Sequence, residues 1–217
     1  MEEVDPYLEE AESFSSSFIQ YLTGCERKKQ AGMFSTRYSS NAVVDPKNRF
    51  ILTHGEIWDW TSALIDYPRI RRDPNSKRSF VYGISFRNLE FKDDAVWGLI
   101  PFVDFIDASM MGIFTIEDCS RAFYLTSWCK FRHGRRNLAR LFGQNRKSGD
   151  RVEFELDVGK KQMTIRAWSD SSPDPSTPRL LIQPIALEDN VTYCWAVSVE
   201  MTGSKCVVGK AWAREAE

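Results

Sequence analysis

Gly149-Asp150-Arg151-Val152-Glu153-Phe154-Glu155-Leu156-Asp157-Val158-Gly159-Lys160-Lys161-Gln162-Met163-Thr164-Ile165-Arg166-Ala167-Trp168 holds two alternating runs joined by a turn. Val152, Phe154 and Leu156 alternate with Arg151, Glu153, Glu155 and Asp157. A period of two marks a strand with one face buried and one in water. Met163, Ile165 and Ala167 alternate with Gln162, Thr164 and Arg166 in the same way, and Trp168 follows. Asp157-Val158-Gly159-Lys160 supplies the turn between them, with Gly159 expected at positive φ because it carries no Cβ. The stretch therefore predicts one β-hairpin of an antiparallel sandwich. It carries no catalytic chemistry, so function is to be sought in the loops that this scaffold holds.

The same texture extends outward. Short apolar runs bounded by Asp, Asn, Pro or Gly recur at 42–44, 49–52, 80–84 and 96–100, and the β-like pattern continues through 102–106 and 110–116. Residues 169–178 form a Ser/Asp/Pro loop that no strand crosses, and strands are expected at 180–186, 193–199 and 205–211. The start of the chain differs. Glu2, Glu3, Asp5, Glu9, Glu10 and Glu12 make it acidic, and Phe14, Phe18, Ile19 and Leu22 recur at helical spacing before Gly24. This predicts a short amphipathic helix over 7–22, leading into the basic Arg27-Lys28-Lys29. The expected organisation is an acidic, partly helical segment (1–32), an all-β antiparallel β-sandwich (33–212) and a C-terminal tail (213–217).

Composition bounds the possibilities. The 217 residues suffice for one large β domain, and an aromatic content of 13% suits sheets. A net charge of −1 selects no partner by bulk electrostatics. No run of about eighteen apolar residues predicts a membrane span, and the acidic start lacks the apolar stretch of a secretory signal. Cys25, Cys119, Cys129, Cys194 and Cys206 are odd in number and widely spaced, and the histidines are His54 and His133. That pattern argues against a zinc site or a disulfide framework, and for buried, reduced thiols in a cytoplasmic or nuclear protein. Neither metal, cofactor nor small-molecule substrate is expected.

Three landmarks then resemble a SPRY domain, a concanavalin-like β-sandwich used for protein recognition. Val96-Trp97-Gly98-Leu99-Ile100 resembles the family's Tyr-Trp-Glu-Val strand, with Met111-Gly112-Ile113-Phe114 at the place of the Gly-Val/Ile strand. Gly149-Asp150-Arg151-Val152 through Leu156-Asp157 resembles its Gly-Asp-x-Val/Ile…Leu-Asp hairpin, with Met163-Thr164-Ile165 as the returning strand. Tyr193-Cys194-Trp195-Ala196-Val197-Ser198-Val199 resembles its Tyr-Pro-Ala-Val-Ser-Leu strand, closed by Lys205-Cys206-Val207-Val208. The resemblance covers roughly residues 41–211. Gly98 departs from the family's Glu, Trp195 from its Pro, and 121–148 is longer than a plain connection. The resemblance implies a domain that binds peptides or protein surfaces through loops at one end of the sandwich and performs no chemistry.

Residues 128–147 are the sharpest local anomaly. Lys130, Arg132, Arg135, Arg136, Arg140, Arg146 and Lys147 lie there without one acidic residue, interleaved with Trp128, Phe131 and Phe142. Arginine grips carboxylates through two parallel hydrogen bonds, and cations with aromatics also track a phosphate backbone. Because the chain as a whole is not basic, an acidic protein or peptide is favoured over RNA. Partner binding is accordingly assigned to Trp128, Lys130, Phe131, Arg132, Arg135, Arg136 and Arg140, with Phe131 as the apolar anchor. Elsewhere, Trp58 and Trp60 share one face of an expected strand and are read as core. Asp93-Asp94 and Glu117-Asp118 are read as solvated caps at turns. Residues 99–107, Leu-Ile-Pro-Phe-Val-Asp-Phe-Ile-Asp, faintly resemble a SET-type methyltransferase motif, but Asp107-Ala108 stands where that motif has Asn-His. The expected function is a non-enzymatic interaction module, an adaptor or subunit of a larger assembly.

Overall fold

In the structure, a computed structural model, Val152 faces Ala167, Phe154 faces Ile165 and Leu156 faces Met163, so the alternation of the 149–168 hairpin is realised residue by residue. The structure describes residues 29–216 apart from 41, 45–46, 55–59, 73, 76–78, 91–93, 111–113, 142–147, 170–173, 175 and 201–202. The expected helix over 7–22, Cys25, Trp58, Phe142, Arg146 and Lys147 lie outside the described residues.

Strands are numbered along the chain. One sheet runs β13 (Arg179–Pro184), β12 (Gln162–Trp168), β11 (Arg151–Asp157), β6 (Phe80–Glu90), β15 (Lys205–Glu215), β4 (Ile51–His54) and β3 (Ala42–Val44), with β1 (Lys29–Ala31) also paired to β15. The other runs β10 (Arg136–Arg140), β9 (Lys130–His133), β8 (Phe123–Thr126), β7 (Ala95–Pro101), β14 (Thr192–Val199), β5 (Thr61–Arg71) and β2 (Phe34–Ser40). Every pairing among them is antiparallel. The antiparallel sandwich expected from the sequence is therefore the fold.

The hairpin turn differs from expectation in one detail. Lys161, not Gly159, takes positive φ, at 52°. Gly159 is demanded by space instead, since a Cβ there would lie 2.2 Å from the Ser79 hydroxyl. The Gly149-Asp150 landmark also gains a physical reason. Asp150 is buried, accepts a hydrogen bond from Ser169 Oγ at 2.8 Å, and its carbonyl accepts the Asn88 amide at 3.1 Å. It fastens the start of β11 both to β6 and to the chain leaving β12.

Two apolar layers hold the sandwich. Between the sheets, Phe86, Phe154, Trp97 and Trp195 lie among the fully buried side chains; Phe154 meets Trp195 at 5.7 Å and Phe86 edge-on at 6.3 Å. A second cluster covers the outer face of the seven-stranded sheet: Leu64, Val96, Ile100, Tyr124, Cys194 and Ala196 pack against Phe105, Phe114 and Ile116. Ser198 Oγ accepts the Ile116 amide at 3.0 Å and lies 2.7 Å from Ser62 Oγ, which pins this covering segment to the sheet.

The described part of this covering segment corrects the β-like reading of 102–106, while Met111, Gly112 and Ile113 lie outside the described residues. Residues Phe102–Met110 form a helix, α1, and Ile116–Asp118 a 3₁₀ turn. Pro101 has no amide hydrogen to continue β7 into a central ladder, and Phe102, Phe105 and Ala108 recur at helical spacing and pack on the second cluster. Asp104 receives Arg121 Nε at 2.9 Å and Cys119 Sγ at 3.1 Å, while Arg121 Nη1 reaches Glu188 at 3.0 Å. The stretch that faintly resembles a methyltransferase motif is thus occupied in tying α1 to the β13–β14 connection. Cys119, Cys129, Cys194 and Cys206 are buried free thiols. Burial pushes Cys119 and Cys206 up to about 12 and Cys194 up to about 11, so all three hold their protons at neutral pH.

Candidate functional site

The basic stretch is not a loop. Most of its described part folds as two strands, β9 and β10, that extend the seven-stranded sheet to its edge. The cause is visible in Lys130-Phe131-Arg132-His133, where a buried ring alternates with exposed or half-buried polar groups. Phe131 is 0% exposed and belongs to the inter-sheet core, so it cannot anchor a partner. That assignment is corrected: among the described residues of the stretch the exposed aromatic is Trp128, at 52%.

Trp128 is held in place although it faces water. It sits in the turn between β8 and β9, where Cys129 adopts a left-handed φ of 60°. Such a conformation is costly for a residue with a Cβ. Here it buries the Cys129 thiol while leaving Trp128 outside. The Trp128 indole Nε1 donates to Asp94 Oδ2 at 3.1 Å, and the other Asp94 oxygen accepts from Ser127 Oγ and from the Ala95 amide at 2.7 Å. Asp94 is therefore no solvated cap but the group that fixes the ring, a role sequence reading missed. Replacing it with alanine is expected to cost about 2 kcal/mol, the scale of hydrogen bonds to a charged group, and urea denaturation would measure this.

The cations sort into two kinds. Arg132 is engaged by its own neighbours: Nε donates to Asn137 Oδ1 at 2.9 Å and Nη1 stands 3.9 Å from Glu117. Lys130, Arg135, Arg136 and Arg140 are exposed, and none has a carboxylate partner among the described residues. Lys130 stands directly opposite Arg140 in the β9–β10 ladder, a like-charge pairing that destabilises a sheet until an anion joins it. Gly134 makes the tight turn possible. It takes φ 51°, and a Cβ there would lie 2.4 Å from the Ser120 carbonyl. Tyr124 then locks the turn by donating its hydroxyl to the Gly134 carbonyl at 2.7 Å. Arg135 and Arg136 thus project from a fixed bend.

His133, on the same hairpin, stacks on Phe123 with ring centroids 4.1 Å apart and planes at 4°. Burial, with Arg136 adding to it, lowers its pKa below the usual histidine value. The folded state thus resists protonating it, so stability is full above the unfolded value of about 6.5 and declines as pH falls through it. A His133→Phe variant is expected to lose that acid-side decline, read from denaturation midpoints at pH 5 and pH 7.5.

Among the described residues no three His, Cys, Asp or Glu side chains converge as metal ligands, and no helix is long and apolar enough to cross a membrane. No family model matches the sequence, and no curated protein matches it either. Solved structures do share its fold. The SPRY domain of human HERC1 superposes with a TM-score of 0.55 at 15% identity, over 81% of this chain and 96% of that one. Peanut lectin, solved with a nine-residue peptide, gives 0.59 at 10% identity over 89% and 100%. Winged bean acidic lectin, solved with methyl-α-D-galactose, gives 0.52 at 12% identity over 88% and 96%. The fold is thus the concanavalin-like sandwich common to SPRY and lectin domains.

Proposed function

We propose that this chain is a non-enzymatic recognition module that takes an acidic segment of a protein partner, acting as an adaptor or subunit of a larger assembly. One observation carries the reading. Beside the fixed, exposed ring of Trp128, Lys130 and Arg140 face each other with no carboxylate at ion-pair distance among the described residues, and Arg135 and Arg136 extend the charge to the adjoining turn. An exposed aromatic that loses little freedom on binding makes an effective anchor, and arginine supplies two-pronged contacts to carboxylates. The kinship in fold with SPRY and lectin domains, which serve as binding scaffolds, supports recognition over catalysis. The module is assigned to the cytoplasm or nucleus, in keeping with four described cysteines that remain thiols.

The test is affinity purification from native extract with the full chain and with a Lys130→Glu/Arg136→Glu/Arg140→Glu variant, each with and without nuclease, read by mass spectrometry. The expected result is a discrete set of proteins that survives nuclease and falls at least tenfold in the variant, whose circular dichroism is unchanged. A variant that keeps every partner overturns the site. Partners that all vanish on nuclease treatment would replace the reading with RNA binding, whose affinity falls steeply with salt.

A further inference from the structure

The eight-stranded sheet ends in β13, and its free edge has an unusual composition. β13 reads Arg179-Leu180-Leu181-Ile182-Gln183-Pro184. Leu181 packs on the inter-sheet core, while Leu180 and Ile182 are 58% and 49% exposed. The backbone direction at this edge follows from one hydrogen bond. The Ile185 amide donates to the Lys161 carbonyl at 2.8 Å, and Gln162 faces Pro184 in the ladder. In an antiparallel pair, bonded and non-bonded positions alternate. Leu181 and Gln183 therefore bond to β12, whereas Leu180, Ile182 and Pro184 turn their backbone groups away from it. Pro184, which has no amide hydrogen, falls at an outward position, as an edge proline must.

The other sheet edges are blunted. β10 is broken by a bulge between Asn137 and Ala139 and carries Arg136 and Arg140. β3 has three residues, and the register of β2 breaks between Phe34 and Ser39. Short, bulged or charged edges resist pairing with a further strand. β13 has none of these protections from Leu180 to Gln183. It also packs beside β10, so the charged edge of one sheet flanks the apolar edge of the other.

We propose that β13 is a strand-addition site for an extended peptide in which acidic and apolar residues alternate. Side chains of an added strand point alternately to the two sheet faces. The apolar ones lie beside Leu180 and Ile182 on the outer face, and the acidic ones turn inward toward Arg136, which shares the inner face of the β9–β10 hairpin with His133. The outward amides and carbonyls of Leu180 and Ile182 supply the backbone bonds. This deepens the acidic-partner reading and rests on it.

The test selects a random dodecapeptide library on the immobilised full chain, then measures amide exchange of the unmodified chain with the most enriched peptide. Ile182→Pro removes one outward amide while leaving the β12 ladder intact, because that amide makes no bond to β12. The expected result is a consensus of alternating acidic and apolar residues, selective protection of the Leu180 and Ile182 amides, and at least tenfold weaker binding by Ile182→Pro. The exchange pattern is read on the unmodified chain, so it decides even if the proline variant does not fold. Acidic peptides without alternation, lost in the Lys130→Glu/Arg136→Glu/Arg140→Glu variant and leaving the Leu180 and Ile182 amides unprotected, would overturn strand addition and leave the basic-surface reading standing. Enrichment of no acidic peptide would overturn both.

Discussion

Trp195→Ala is expected to lower stability by about 4 kcal/mol, within the range for emptying a buried tryptophan site and close to the whole stability of a marginal domain. Trp195 is 0% exposed on β14, the strand that joins β7 to β5. Its register with β5 shifts between Cys194 and Ala196, so the ring stands at an irregularity that packing, not pairing, must hold. Its principal ring contact is Phe154, 5.7 Å away on the opposite sheet. Removing the indole opens a cavity between the sheets that neither ladder can close by sliding, because each strand is fixed on both sides. Trp195→Phe makes the instructive control. The indole Nε1 is buried without a hydrogen-bond partner, so phenylalanine gives up volume but no bond, and its cost should stay near 1.5 kcal/mol, within the usual span for core substitutions. Urea denaturation of both variants measures the difference. Equal costs for the two would mean that the site collapses around a smaller side chain and that Trp195 does not prop the sheets apart.

Gly98→Ala is expected to cost about 3 kcal/mol, the upper end of ordinary overpacking. A Cβ at Gly98 would lie 2.3 Å from the Phe123 carbonyl oxygen and 2.7 Å from the Tyr124 Cα. These are backbone atoms of the adjacent strand β8, and Gly98 stands directly opposite Tyr124 in that ladder. Relief requires parting β7 from β8, and β7 is buried along its whole length. Trimming the neighbour should therefore give no rescue: Gly98→Ala/Tyr124→Ala is expected to melt no higher than Gly98→Ala alone. Recovery in the double variant would show that the obstruction is the tyrosine side chain. Any larger side chain at Gly98 would meet the same obstruction, so the glycine is a packing requirement of this chain.

The hairpin was legible because β11 and β12 each have one wet face, and water imposes alternation on the residues that meet it. α1 was not. Phe102-Val103-Asp104-Phe105-Ile106 is a short, mostly apolar run that a buried strand and a helix segment can share, and its apolar face meets a sheet surface that no local pattern announces. In the basic stretch the charge dominates, and the alternation that places Phe131 inside spans only the four residues of β9. Asp94 was beyond reach: its indole partner lies 34 positions along the chain, a pairing that only the β7–β8 register creates. The edge character of β13 was equally hidden, since Leu180-Leu181-Ile182 reads the same in a covered strand as in an open one.

The segment that lies over the seven-stranded sheet sets how freely different strands can vary in sequence. β11 keeps one side partly in solvent, where Glu153 and Glu155 pair with Arg166, and partly exposed pairs of this kind can be exchanged for other polar residues at small cost. β7 has the inter-sheet core beneath it, through Trp97 and Leu99, and the covering segment above it, through Val96 and Ile100. A strand enclosed on both sides has no position where a substitution goes unfelt. The two strands belong to one fold yet differ in mutational tolerance, and related chains should diverge most along β11 and least along β7.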